Sequence, residues 1–428
     1  MKENIRETRF SNGLVILTDR MPGVRSATLG FFFRAGSRNE PAELNGISHF
    51  IEHAVFKGTA KRSSLDIAIE QDRLGGGLDA FTTHEETGFA IKVIDDQIPA
   101  AFDLIADMLA NPRFEDADLK SEQRVIIEEM KMTEDSPEDF LGEIFSKAFF
   151  PEHPLGMNIA GRPKTIKRFN AAVTQKYHRD VFNPANLVIT AAGNVDHKQI
   201  VKLAKKYFSG VTQVSGPQES RQDGGVPPVA APIIIHENKT LEQAHMILAT
   251  PFPGAADERR YAADLLANII GGGTSSRLWQ KIREERGLAY SVGASAVMYK
   301  DCGVFMIFAG TSPKQTQEIV AISISELSDV AKNGVCEREL ELVKDQSAAS
   351  ILLSLEDSAA RAGTLAQCEM IYGRQIPVEE TLARIAAVST EDVHAIAREF
   401  FKTEKVAFAA VGNLKELKIK RRTLEITV

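Results

Sequence analysis

Apolar residues along the chain follow two spacings, one typical of strands and one typical of helices. Short runs rich in β-branched and aromatic residues predict strands at 26–36, 86–94, 244–250 and 303–310. Longer stretches with helical periodicity predict helices at 98–111 and 317–332. The two kinds of segment do not alternate strictly. The pattern therefore predicts an α+β fold, in which helices pack against a sheet.

The apolar pattern occurs twice along the chain. Residues 182–195 correspond to residues 401–414, and each segment is a strand-like run that closes on Gly-Asn. Between the halves, 212–232 is rich in Pro, Gly, Ser and Gln, which is typical of a linker. The sequence therefore predicts two homologous domains, 1–211 and 233–428, joined by this linker.

Composition narrows the class of protein. Hydrophobic residues make up 43% and charged residues 25% of the chain, as in ordinary soluble proteins. The polar N-terminus lacks the apolar core of a secretory signal, and no apolar stretch is as long as a membrane span. We therefore expect a soluble, cytoplasmic protein without a membrane segment. The three cysteines form no C-x-x-C pair, which supports neither a disulfide framework nor a thiolate zinc site.

The charge is acidic and unevenly distributed. A net charge of −7 argues against a nucleic-acid-binding protein, which usually has a basic surface. Segment 115–143 contains eleven acidic and three basic residues, so it is more acidic than the whole chain. Such a run is usually a solvated helix face. It matters here because it overlaps the candidate site.

The strongest chemical pattern is H-x-x-E-H, formed by His49, Glu52 and His53. Histidines four apart on a helix have Cβ atoms about 5–6 Å apart, so both imidazoles can bind one tetrahedral zinc ion. Glu52 then lies beside the metal. Apolar residues form the opposite helical face, namely Ile47, Phe50, Ile51, Ala54 and Val55. The alternative is a solvated helix with two chance histidines, but the accompanying features favour a metal site.

Two histidine ligands leave room for a carboxylate, and the best donor is the acidic helix at 118–130. Glu122 and Glu129 lie two turns apart on one partly apolar face, where a carboxylate needs a partner. A metal ion for one and a ligand histidine for the other would satisfy both. Spacing alone does not choose between Glu128 and Glu129.

The H-x-x-E-H segment followed by Phe56-Lys-Gly-Thr59 resembles the pitrilysin and mitochondrial-processing-peptidase family, the inverzincins. The resemblance covers nearly the whole chain, including Leu74-Gly-Gly and the duplicated halves. It implies the metallopeptidase fold of that family, with mostly antiparallel sheets. It also implies that Glu129 is the third zinc ligand and that Glu122 supports the ligands or assists catalysis.

The second half lacks the metal pattern. Asp264, Ala267 and Asn268 occupy the positions of the H-x-x-E-H residues, so we expect one zinc ion per chain. Arg283 and Tyr290 match the family's Arg/Tyr pair, which implies that they bind peptide. The alternative is a surface arginine and a packed tyrosine.

The resemblance also implies where substrate binds. The family uses the region around Asp79 and Ala80 as an edge strand that pairs with an extended peptide. Most members have Asn in place of Asp79, which leaves the substrate preference open. The acidic segment 115–143 suggests basic peptides.

These expectations define a zinc-dependent endopeptidase. We expect zinc to lower the pKa of a bound water and to polarise the scissile carbonyl, while Glu52 takes the proton from that water and returns it to the leaving amine. The resemblance further implies a closed chamber that admits unfolded peptides. Since two domains make half of a four-domain shell, we expect a homodimer in which Arg283 and Tyr290 face the other subunit's zinc. The alternative is a non-catalytic peptide-binding or scaffold subunit of the same fold, but such a subunit has no need of Glu52.

Overall fold

The computed structural model describes residues 3–75, 77–210 and 227–427. Contacts divide the chain into two compact units. The first unit contains the described residues within 1–131, 157–224 and 351–377. The second contains those within 132–156, 225–350 and 378–428.

The first unit is built on a sheet that has six strands among the described residues, in the order β1-β2-β6-β3-β5-β4. Only β2 and β6 are parallel, and the other neighbours are antiparallel. Strand β4 is the last in this order, so it is an edge strand. The strands are β1 (Ile5–Arg9), β2 (Val15–Arg20), β3 (Ser26–Phe33), β4 (Leu78–Thr82), β5 (Thr87–Ile94) and β6 (Leu187–Gly193).

Helices cover both faces of this sheet. The main core lies on one face, where alternate residues of β3 such as Leu29 and Phe31 pack with Phe50 and Phe102 from helices. The opposite face packs against the helix Ser358–Tyr372 through Leu365. The helices that contribute to this unit are α1 (Ile47–Ala54), α2 (Ser64–Arg73), α3 (Ile98–Ala110), α4 (Asp116–Asp135), α6 (Pro163–Ile166), α7 (Ala171–Val181), α8 (His197–Phe208) and α12 (Ser358–Tyr372).

The second unit repeats this plan with five strands among the described residues, in the order β7-β11-β8-β10-β9. The parallel pair β7/β11 corresponds to β2/β6, and the remaining pairs are antiparallel in both sheets. The strands are β7 (Ile233–Glu237), β8 (Ala244–Phe252), β9 (Ala289–Met298), β10 (Gly303–Thr311) and β11 (Ala407–Gly412). Its helices are α5 (Pro137–Phe149), α9 (Arg260–Gly271), α10 (Thr316–Asn333), α11 (Glu337–Ser354), α13 (Val378–Ala387) and α14 (Thr390–Phe400).

The predicted fold class is confirmed: the structure has mixed, mostly antiparallel sheets with helices packed on them. The predicted strands and helices match β3, β5, β8, β10, α3 and α10.

The compact units do not follow the sequence halves throughout. Residues 132–156 come from the first half but belong to the second unit, and residues 351–377 do the reverse. The predicted domain limits at 211 and 233 stay a prediction about the duplicated sequence. Residues 212–226 of the predicted linker lie outside the described residues. Every helix in the described part of the chain is too short or too polar to cross a membrane.

Candidate metal and active site

The two histidines lie on α1, whose apolar face anchors it in the core. Ile47, Phe50 and Ile51 are fully buried, and the rings of His49 and His53 are 4.7 Å apart on the other face. The helix begins after Gly46, whose φ of +96° is a left-handed conformation that favours glycine. A Cβ at this position would lie 2.7 Å from the Ala160 carbonyl oxygen, so the close approach also requires glycine.

Glu40 fixes the beginning of α1, although no sequence pattern singled it out. The buried carboxylate accepts hydrogen bonds from the backbone N–H groups of Gly46 at 2.6 Å and Ser48 at 2.8 Å. These N–H groups lie at the start of the helix, where they have no partner within the helix itself. Glu40 therefore holds the helix that presents the histidines.

Helix α4 brings Glu129 to the two histidines. Its Oε2 atom lies 3.8 Å from His49 Nε2 and 3.6 Å from His53 Nε2. Zinc bonds of about 2.0–2.1 Å place tetrahedral ligand atoms roughly 3.3 Å apart, so small adjustments would accommodate the ion. Glu128 points elsewhere and pairs with Lys131 at 2.7 Å.

The donor atoms fit a catalytic type of zinc site. Two imidazoles and one carboxylate form the His₂Glu ligand set, which leaves a fourth position open. The side chains become progressively more accessible, with exposed fractions of 12% for His49, 23% for His53 and 46% for Glu129. Burial lowers the pKa of His49 to about 4, which keeps its imidazole neutral as a metal ligand requires. Within the described residues, these three side chains form the only such group.

Glu122 lies behind His53 and holds the orientation of its ring. The Oε2 atom of the carboxylate is 3.2 Å from His53 Nδ1, while Oε1 is 2.6 Å from Lys57 Nζ. Burial acts against ionisation of Glu122, but the bonds to His53 and Lys57 outweigh it and lower the pKa of the carboxyl. An ionised Glu122 favours the tautomer in which Nδ1–H of His53 donates a hydrogen bond to it, and that tautomer leaves Nε2 available to a metal.

Glu52 is buried beside the histidines. Thr82 of β4 donates a hydrogen bond to its Oε2 at 2.7 Å. Burial raises the pKa of Glu52, and the negative charge of Glu129 acts in the same direction. A carboxylate with a raised pKa accepts and releases a proton more readily near neutral pH, as a general base must.

The predicted peptide-binding residues of the first half lie on the edge strand. Asp79 and Ala80 belong to β4, where Asp79 is exposed and Ala80 is half-buried. Since β4 pairs only with β5 among the described strands, its other edge has free backbone groups. Thr82, two residues beyond Ala80, links the same strand to Glu52.

Arg283 and Tyr290 lie in the second unit and contact each other. The guanidinium carbon of Arg283 is 4.6 Å from the centre of the Tyr290 ring and 4.1 Å from that of Trp279. Tyr290 is 81% exposed, which excludes the alternative that it is a tyrosine packed in the core. Arg283 lies within a π-helical segment, Trp279–Glu284, a local irregularity that is frequent at functional sites.

Comparisons with known proteins agree with this architecture. A family model described as "Insulinase (Peptidase family M16)" matches residues 15–162. A second, described as "Peptidase M16 inactive domain", matches residues 168–347. An uncharacterized zinc protease of Streptomyces coelicolor is 38% identical over 97% of this chain and 91% of its own length. Another, from Bacillus subtilis, is 36% identical over 95% of this chain and 98% of its own.

Solved structures share the fold. A protease from Helicobacter pylori has a TM-score of 0.85 at 21% identity, covering 96% of this chain and 99% of its own. Complex III2 from Candida albicans contains a chain with a TM-score of 0.84 at 19% identity, covering 98% of this chain and 99% of its own.

The similarity of the zinc protease relatives extends over nearly the whole chain, and the family resemblance drawn from the H-x-x-E-H segment is confirmed. The chain belongs to peptidase family M16.

Proposed function

We propose that the protein is a zinc-dependent endopeptidase that binds one zinc ion per chain through His49, His53 and Glu129. The observation that carries this proposal is the convergence of the three donor groups, whose ligand atoms lie within 4.8 Å of one another. The names of the zinc protease relatives support the same metal.

Glu52 is the general base of the proposed reaction. A bound zinc ion would supply Lewis acidity, which polarises a carbonyl and lowers the pKa of water. Glu52 accepts a proton from the attacking water and later donates it to the leaving amine. The Thr82 hydroxyl orients the carboxylate through its hydrogen bond, and Glu122 orients His53.

The substrate is an unfolded peptide bound in extended form. It pairs with the free edge of β4 near Asp79 and Ala80, where backbone hydrogen bonds hold it irrespective of sequence. Arg283 and Tyr290 donate hydrogen bonds to peptide carbonyls from the second half of the protein. The working form is a homodimer enclosing a chamber, in which this pair faces the zinc of the other subunit.

The acidic segment 115–143 continues past Glu129 and favours basic peptides. Peptides of matched length that carry either lysines or glutamates test this preference. Equal rates of cleavage for both sets would contradict it.

The decisive experiment compares the wild type with Glu52→Gln for zinc content and peptide cleavage. We expect retained zinc and a loss of cleavage of about 10²–10⁴-fold, since the amide cannot accept a proton. Glu128→Gln is the matched control, because Glu128 is exposed and pairs with Lys131. Unchanged cleavage by Glu52→Gln would overturn the mechanism. Peptide binding without cleavage by the zinc-loaded wild type would favour a non-catalytic scaffold subunit.

A further inference from the structure

The face of the first sheet opposite the metal site contains a cavity next to the edge strand. Side chains alternate along β4, so Thr82 points towards Glu52 while Phe81 points to the other face. There a cavity of about 320 Å³ lies between the sheet and α12. Its lining is mostly apolar and includes Phe32 and Phe81.

Small residues on both sides create this space. Phe32 and Phe81 lie across Gly88, where an added Cβ would be only 2.5 Å from the Phe81 ring. Helix α12 faces the cavity with residues that lack long side chains, among them Ala362 and Gly363. A Cβ at Gly363 would meet no atom within 4 Å. The space therefore has aromatic walls and room for a long, slender side chain.

Glu86 places a carboxylate in this apolar lining. The residue is half-buried, and its side chain has no hydrogen-bond or ion-pair partner among the residues that the structure describes. Burial raises the pKa of Glu86 to about 7, and the charge of Glu85 adds to this effect. The neighbouring Glu85 differs, because it pairs with Arg38 at 2.8 Å. A cation beside Glu86 would compensate its loss of hydration.

We propose that this cavity binds an arginine or lysine side chain of a peptide that extends the sheet at β4. The proposal rests on the proposed peptidase function. In an added strand, one side chain lies on the face of Glu52 and its immediate neighbours lie on the opposite face. The apolar stem of a basic side chain contacts Phe81 and Gly363, while its charged end reaches Glu86. The cavity thus selects a basic residue next to the one that faces Glu52.

The test measures peptide binding to full-length, zinc-loaded protein with Glu52→Gln, so that no cleavage interferes. A set of alanine-rich peptides carries one arginine at successive positions. We expect arginine at every second position, where the side chain lies on the face of the cavity, to increase the affinity for the peptide at least about tenfold. This is the gain usual for a hydrogen bond between charged groups. Adding Glu86→Gln removes this gain, and Glu86→Lys transfers the preference to peptides with glutamate. Gly363→Leu fills the cavity and also removes the gain.

Glu85→Gln is the matched control, since it removes a charge one residue away that pairs with Arg38 and does not line the cavity, and it should leave the positions at which arginine increases affinity unchanged. An identical profile in the Glu86→Gln protein would overturn the proposal, and would instead attribute any basic preference to segment 115–143. Cleavage by the protein with Glu52 intact is measured separately. A failure of this subsite is therefore distinguishable from a failure of the peptidase function.

Discussion

Glu122 lies within hydrogen-bonding distance of Nδ1 of His53, so its carboxylate favours the tautomer in which Nε2 is available to a metal. We predict that Glu122→Gln weakens zinc binding by about 10–100-fold, as is usual when a residue that orients a ligand is changed. Competition with a chelator of known affinity measures the effect, with Glu128→Gln as the control. Equal affinities in both variants would show that Glu122 does not orient the ligand.

His178 connects the stability of the first unit to pH. Burial lowers its pKa to about 4, and its Nε2–H donates to the Leu109 carbonyl at 2.9 Å. In the unfolded chain the pKa is about 6.5, so the unfolded state binds more protons between these values. The contribution of neutral His178 to the free energy of unfolding is therefore complete above about pH 6.5 and decreases as the pH falls towards 4. The total decrease is at most about 3 kcal/mol.

His178→Gln keeps a donor for the Leu109 carbonyl and removes the titrating group. We predict that the difference in free energy of unfolding between wild type and this variant shrinks as the pH falls from 7 to 4.5. Urea unfolding at several pH values measures it. A difference that stays constant over this range would exclude His178 as the source of the pH dependence.

Single residues of the site differ in how far the sequence reveals them. His49, Glu52 and His53 are adjacent on one helix, so helical spacing alone brings them together. Lys57 follows His53 by four residues, and the same spacing could have identified it as a partner of Glu122. Helical spacing could not predict the role of Thr82, because its contact with Glu52 depends on the register of the β4/β5 hairpin, about 30 residues further along the chain.

At the level of elements, strands and long helices were predictable because each has its own apolar period. The sequence could not predict that α12 belongs to the first unit, because this depends on contacts with residues more than 300 positions earlier. Glu369 pairs with Arg9 at 2.7 Å and with Arg34 at 2.9 Å, and Thr28 bonds Ser358 at 2.8 Å. No local pattern in α12 identifies these partners.

The ion pair between Arg361 of α12 and Asp19 of β2 offers a test of this docking, because both side chains are almost fully buried. Removing one partner of a buried ion pair typically costs about 3–5 kcal/mol. We predict a loss of this size for Asp19→Ala, measured as the free energy of urea unfolding. Adding Arg361→Met should restore much of the stability, since no buried charge remains. Additive losses in the double variant would contradict this interpretation.

At the scale of the whole molecule, the two units share a sheet plan but differ in the side chains that their corresponding helices carry. Among the described residues, the second sheet repeats the order of five of the six strands of the first, but α9 carries Asp264, Ala267 and Asn268 where α1 carries the metal pattern. Asn268 donates to the Asp264 backbone carbonyl at 2.9 Å, a contact within the helix. The second copy therefore lacks the H-x-x-E-H side chains, and in the proposed function it contributes the exposed Tyr290 and the half-buried Arg283 instead.

The proposed homodimer makes a prediction that a monomeric mechanism does not share. If Arg283 serves the zinc site of the other subunit, mixing inactive Glu52→Gln protein with inactive Arg283→Ala protein creates one intact site per mixed dimer. Random exchange makes half of the dimers mixed, so activity should return to about a quarter of the wild-type value. If Arg283 serves its own subunit, no combination of these chains contains an intact site, and mixing restores nothing. Mixing Glu52→Gln with the zinc-ligand variant His49→Ala is the control, because both changes disable the catalytic half and neither arrangement can rescue them. Peptide cleavage after exchange of subunits therefore decides between the two arrangements.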